Sequence, residues 1–248
     1  MKVKRRLISV VVLFFIVFFA WIVFNTTNRK PIIYGNFGVN IPSTFPVLGM
    51  DVSHHQGGII WPSAGAMKID GDSLQFVYIK ATEGISWIDD RLQDNTDGAR
   101  QENIKYGFYH FYLPSLSVGQ QAEHFCKNIA SLGGDLCPAI DVEVTGDLTD
   151  KQLNDSLTLF HRLVESKTGK TPIIYTYHNF YKSHLTNQPI NAAYYWIGDY
   201  GPDCALMNKD NFLIWQFTAS GTVNGIRESV DLNIAKDSFF EICDKKLE

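Results

Sequence analysis

The chain is poor in the features that mark several common functions. It has 4 cysteines in 248 residues, with no C-x-x-C and no histidine at ligand spacing from a cysteine pair, which excludes the usual structural zinc motifs. No H-x-x-x-H occurs, so the two-histidine metal set of a carbohydrate deacetylase is missing. The net charge is −4 and no basic stripe interleaved with aromatics appears, so the electrostatic footprint of a nucleic-acid binder is absent. The glycine-containing turns "TEG" at 82–84 and "SGTVNG" at 220–225 lack phosphate-loop spacing. There is no internal repeat and no low-complexity tract. No cofactor and no metal are expected.

One long apolar run stands apart from this scarcity. Residues 7–24 are apolar except for Ser9, enough for roughly 27 Å of helix at 1.5 Å per residue. Lys2, Lys4, Arg5 and Arg6 precede the run, Arg29 and Lys30 follow it, and "AWIVFNTTN" offers no convincing small-x-small cleavage site. These signals predict a cytoplasmic stub at 1–6, a transmembrane signal anchor at 7–24, a tether at 25–46 and an exported domain at 47–248. A secreted form, released by signal-peptide cleavage, is the alternative. Export permits disulfides. Four cysteines allow three pairings; Cys126 and Cys137 bracket a helix end and the next strand, which favours that pair.

What the sequence does contain is a 45% hydrophobic composition, rich in aromatics, able to fill one large core. Short apolar or alternating runs recur at 47–52, 76–81, 106–112, 138–143, 172–177, 194–198, 212–217 and 229–232, giving eight strand candidates. Ser117 with Gln120, and Thr149 with Gln152, are capping-box pairs that open apolar patterns at helical spacing, closed by Gly133-Gly134 and by Gly169 before Pro172. Residues 90–104 form a weaker third helix. This alternation predicts an α/β fold with parallel strands, closed as an eight-stranded barrel. The last strands are too closely spaced for full intervening helices, so the barrel is irregular, with fewer than eight helices.

Within this pattern "PAIDVEV", Pro138 to Val144, reads as a strand. Alternation puts Ala139, Asp141 and Glu143 on one face and Ile140, Val142 and Val144 on the other. Unpaired buried carboxylates are costly, so a doubly acidic face must be solvated, paired or used. Asp51 in "GMDVSHHQG" and Asp231 in "SVDLN" also fall near strand ends, which converge on one mouth in a parallel barrel. Clustered carboxylates raise one another's pKa, and a carboxyl kept protonated at neutral pH can act as a general acid. Spacing alone leaves the bland readings open. A lone D-x-E is commonly a solvated edge or an ion-pair partner, Asp51 suits a turn, Asp231 suits a cap, and Lys80 or Arg227 can neutralise a carboxylate.

The segments "GMDVSHHQGGIIWPS", "FVYIKATEGISWIDDRLQDN", "YGFYHFY", "PAIDVEV", "TGKTPIIYTYHNFY", "YYWIGDYG", "LIWQFTASGTVNGI" and "VDLNIA" occur in the order that resembles family 25 glycoside hydrolases, the CH-type lysozymes. The resemblance runs from about residue 47 to 236. It implies an irregular (β/α) barrel and hydrolysis of the β-1,4 bond between N-acetylmuramic acid and N-acetylglucosamine. By position, it implies that Glu143 is the general acid and Asp141 the partner that stabilises positive charge. Asp51 and Asp231 are then the acidic residues that orient and tune the pair. Tyr175, Tyr109, Lys80, Glu83, Trp196 and Gln216 match positions lining the groove. His54 or His55 is expected to hydrogen-bond near Asp51, in a core or groove placement rather than as a metal ligand. The implied partners are peptidoglycan glycan strands and, through the N-terminal helix, a membrane; the catalytic domain is expected to be monomeric. Two other functions are weighed beside this one: cleavage of a related N-acetylhexosamine polymer such as chitin, and non-catalytic peptidoglycan binding. The complete acidic set argues against the second.

Overall fold

In the computed structural model, residues 32–34 and 38–245 are described, together with Ile16 and Phe18. The stub at 1–6 and, apart from those two residues, the expected anchor at 7–24 lie outside them. Among the described residues no helix is long and apolar enough to cross a membrane. The stretch read as a tether is not wholly one. Ile32–Tyr34 pairs antiparallel with Val39–Ile41, and Val39, Ile41 and Phe45 are buried in the core. The V-N-I alternation seats its two apolar side chains, and Asn40 N–H donates to the Pro202 carbonyl at 2.9 Å, so the packed domain begins before residue 47.

All eight expected strands form. They are β1 (Val47–Val52), β2 (Phe76–Glu83), β3 (Lys105–Phe111), β4 (Ala139–Asp141), β5 (Ile173–Tyr177), β6 (Tyr194–Gly198), β7 (Phe212–Gly221) and β8 (Val230–Ala235). Each pairs with its neighbours in chain order, and β8 returns to β1, which also pairs with β2, so the sheet closes into a barrel. Pairings from β1 through β7 are parallel. Strand β8 departs from the expectation: it runs antiparallel to both β7 and β1. Only eight residues, 222–229, join it to β7, too few for the dozen or more residues of a parallel crossover.

Three helices lie where the capping signals and periodicity put them: α1 (Leu92–Gln101), α2 (Val118–Ile129) and α3 (Asp150–Thr168). Thr149 and Gln152 form a full capping box, and Gly169 closes α3 in the left-handed conformation at φ 69°. Leu153, Leu157, Phe160 and Val164 fall on one buried face of α3, and each contributes about 1.5–3 kcal/mol by leaving water. That face belongs to an outer apolar layer that includes Ile140 and Val142 of the "PAIDVEV" segment. A second layer fills the barrel interior, with Phe76, Tyr78, Ala139, Ile173, Tyr175 and Trp196. The two faces of β4 thus divide as alternation requires.

The disulfide differs from the favoured pairing: Cys137 bonds Cys243, while Cys126 and Cys204 are free. Cys126 sits on α2 in the outer layer, whereas Cys137 belongs to the barrel interior at the start of β4. The C-terminal helix α4 (Phe239–Asp244) carries Cys243 to that end of the barrel. There Phe239 packs against Phe76 and Tyr78, with ring centroids 5.4 and 6.4 Å apart. Helix α4 therefore closes the barrel floor, opposite the mouth.

Candidate active site

The mouth is built from inward-facing residues at the ends of successive strands. Asp51 and Asp231 are cross-strand partners in the antiparallel β8–β1 register. Reversal of β8 explains why Asp231, near the start of its strand, joins residues near the ends of the others. Tyr109, Asp141, Tyr175, Trp196 and Gln216 come from β3, β4, β5, β6 and β7. Glu143 lies just past β4. The strand ends at Asp141, two residues sooner than the sequence pattern extends, although Val142 N–H still donates to the Tyr175 carbonyl at 3.0 Å. These eight residues and Tyr177 line a cavity of about 100 Å³. Larger hollows, of about 280 and 600 Å³, lie elsewhere on the molecule and gather no cluster of carboxylates.

The four carboxylates are held very differently. Asp51 is buried, and its Oδ2 accepts from Asn233 Nδ2 at 2.7 Å and Gln216 Nε2 at 3.0 Å. Both amides are oriented in turn. Gln216 Oε1 accepts from the Tyr175 and Tyr200 hydroxyls, each at 2.8 Å, and Asn233 Oδ1 accepts from Trp196 Nε1 at 2.7 Å. Gly198 leaves room for this network: a Cβ there would lie 3.0 Å from the Tyr175 hydroxyl and 3.2 Å from Gln216 Oε1. Burial, and then the charge of Asp231, push Asp51 well above the usual carboxylate range. Asp231 is raised by burial and held back by its hydrogen bond with Asp51. Both carboxyls of the pair are thus raised, Asp51 the more strongly.

Asp141 is also buried, yet its Oδ1 has no hydrogen-bond partner among the described residues. Burial first, and Glu143 second, raise it well above the usual range, against the opposing pull of Lys80. Glu143 is partly exposed. It too is raised by burial, and is restrained by hydrogen bonding from Tyr177 and by Lys80. Both carboxyls of this segment are thus raised by burial, and that of Asp141 also by the neighbouring charge of Glu143.

Lys80 and Glu83 do not line the cavity. Lys80 Nζ pairs with Glu83 Oε2 at 2.8 Å and lies 4.9 Å from the ring centroids of both Trp87 and Phe111, so Lys80 acts on the site through its field. The expectation for His54 is corrected. Its Nδ1 lies 2.8 Å from Asp89 Oδ2 and its N–H donates to the same oxygen at 3.0 Å. The strand stops at Val52, and both histidines sit in a one-turn helix, His54–Gln56, capped by Ser53. Tyr177, Tyr200 and Asn233 were not singled out from the sequence. Alternation was the available signal for two of them, since Tyr177 follows Tyr175 and Asn233 follows Asp231 by two positions.

A closed barrel whose mouth gathers four raised carboxylates among tyrosines and a tryptophan has the equipment of a carbohydrate-cleaving hydrolase. Comparison with known proteins agrees. The sequence pattern of the glycosyl hydrolases family 25 matches residues 50–226. The chain is 32% identical over 207 residues to the uncharacterized protein YegX of Escherichia coli (strain K12), covering 84% of this chain and 76% of that one. It is 37% identical over 189 residues to the autolytic lysozyme of Clostridium acetobutylicum, covering 75% of this chain and 54% of that protein. The crystal structure of the bacterial lysozyme from Streptomyces coelicolor superposes with a TM-score of 0.68 at 27% identity, over 81% of this chain and 98% of that one. The chain belongs to glycosyl hydrolase family 25 and is a glycoside hydrolase of the lysozyme class.

Proposed function

We propose that this site cleaves the β-1,4 bond between N-acetylmuramic acid and N-acetylglucosamine in peptidoglycan, with Glu143 as general acid and Asp141 stabilising the positive charge that develops. The observation that carries the assignment is the asymmetry of the pair: Glu143 is partly exposed at the strand end, while Asp141 is buried below it. Only the exposed member reaches a glycosidic oxygen. A bound sugar strips further water from Glu143 and raises it further, favouring the protonated form that donates to the leaving group. Asp141, left ionised, then faces the oxocarbenium-like centre from the wall of the cavity. Asp51 and Asp231 fix the remaining wall. Tyr175, Tyr109, Trp196 and Gln216 shape the sugar-binding surface, and the Lys80–Glu83 pair tunes the acids by charge.

The 2-acetamido group of the substrate is the internal nucleophile in this account, supported by Asp141, so the anomeric configuration is retained. Product-anomer NMR showing inversion would overturn that route. The bond itself is tested by digesting purified peptidoglycan, reducing the products with borohydride and identifying the reduced sugar by mass spectrometry. Reduced muramic acid ends are expected, whereas reduced glucosamine ends, or activity on chitin alone, would reassign the substrate. The apolar run at 7–24 supports anchoring of this domain to the outer face of a membrane, which fractionation with protease accessibility tests.

A further inference from the structure

A second group of reactive side chains lies beside the mouth, outside the carboxylate cavity. Strands β5 and β6 pair so that Tyr177 lies opposite Gly198, which brings the next residues, His178 and Asp199, side by side. His178 Nδ1 is 2.5 Å from Asp199 Oδ2. The loop after β6 returns Cys204, buried and outside any disulfide, so that its thiol donates to Asp199. One ligand atom from each of the three residues lies within 4.8 Å of the others.

We propose that His178, Asp199 and Cys204 form a binding site for a divalent transition-metal cation of the zinc class. The donor set is one imidazole nitrogen, one carboxylate oxygen and one sulfur, which suits borderline-soft zinc and not magnesium or calcium. Only modest closure is needed to bring donors at this spacing onto bonds of about 2.0–2.3 Å. The site is also braced. The Asp199 carbonyl accepts from Trp215 Nε1 at 2.6 Å, and Asp199 Oδ1 accepts from Gly201 N–H at 3.1 Å, leaving Oδ2 to face the cluster.

The side chains of His178 and Asp199 remain 22% and 17% exposed, which gives a cation an entry path and a water ligand to complete four-coordination. The neighbours Tyr177 and Tyr200 reach Glu143 and Gln216, so an ion held here sits one residue from both.

The test is titration of the metal-free full-length chain with cobalt(II), followed by its visible bands and its thiolate charge-transfer absorption, and then displacement by zinc. One ion per chain with thiolate absorption is expected. Cys204→Ser is expected to abolish the charge-transfer band, and His178→Ala to weaken binding at least tenfold. Cys126→Ala, which alters the other free cysteine, is expected to change neither. Should Cys204→Ser fail to fold, the partly exposed His178→Ala carries the same test. Absence of stoichiometric binding, or a thiolate band that survives in the His178→Ala and Cys204→Ser proteins, would overturn the proposal.

Discussion

Two carboxylate pairs share one mouth and are built on opposite plans. Asp51 and Asp231 face each other across adjacent antiparallel strands, and Asp51 is held by two oriented amides, each fixed by an aromatic hydroxyl or indole. Asp141 and Glu143 follow one another along a single segment, one with a buried oxygen left without a partner among the described residues and one partly exposed past the strand end. A saturated network resists change, because every group in it has a partner to lose. In the proposed mechanism the first pair is accordingly the positioning element, and the second, which exchanges a proton and meets positive charge, the reactive one.

This contrast can be broken by substitution. Asp141→Asn removes the charge facing the sugar and is expected to lower kcat by about 10²–10³, the scale of losing one preorganised electrostatic contact. Gln216→Leu leaves every carboxylate in place but cuts Asp51 off from Tyr175 and Tyr200. A loss of about 10- to 100-fold is expected, the cost of a small misplacement; a loss as large as that of Asp141→Asn would erase the distinction between the pairs.

Lys80→Met sharpens the contrast through pH. Lys80 pulls the pKa of both Asp141 and Glu143 down, so its removal raises both. The proposed mechanism needs Asp141 ionised and Glu143 protonated, so the acid and alkaline limbs of the rate profile should both move to higher pH. A profile that stays in place would show that the charge of Lys80 does not reach the pair.

The smallest expected effect is on stability. Burial raises Asp141 above its unfolded value, so the folded chain binds more protons than the unfolded one between the two values. Its contribution is then fully present at low pH and is lost as pH rises through that window. Asp141→Asn removes the cost of ionising a buried carboxyl and should stabilise the folded chain at neutral pH. Thermal unfolding at pH 4 and pH 7 checks this, with the gain confined to the higher pH.

Much of this was legible in the sequence, for local reasons. Each strand carried its own apolar run, and the ends of α3 carried their own capping residues, Thr149, Gln152 and Gly169. The alternation in "PAIDVEV" separated Ile140 and Val142, under the helices, from Ala139 and Asp141 in the barrel. What was not legible depended on partners distant in the chain. The Cys137–Cys243 bond spans 106 residues and follows from which layer each cysteine faces. The reversal of β8, the pairing of His54 with Asp89, and the packing of Val39 and Ile41 against the barrel are likewise properties of the assembled sheet. The roles of Tyr200 and Asn233 emerge only once Gln216 and Asp51 are in place to receive their hydrogen bonds.

The division of labour between the pairs is tested most directly by comparing Glu143→Gln with Asp51→Asn in dye release from purified peptidoglycan, with thermal unfolding confirming that both variants fold. Removal of a general acid costs about 10²–10⁴ in rate, so the account predicts that Glu143→Gln loses at least tenfold more activity than Asp51→Asn. Wild-type rates in Glu143→Gln, or an equal loss in the two variants, would contradict it.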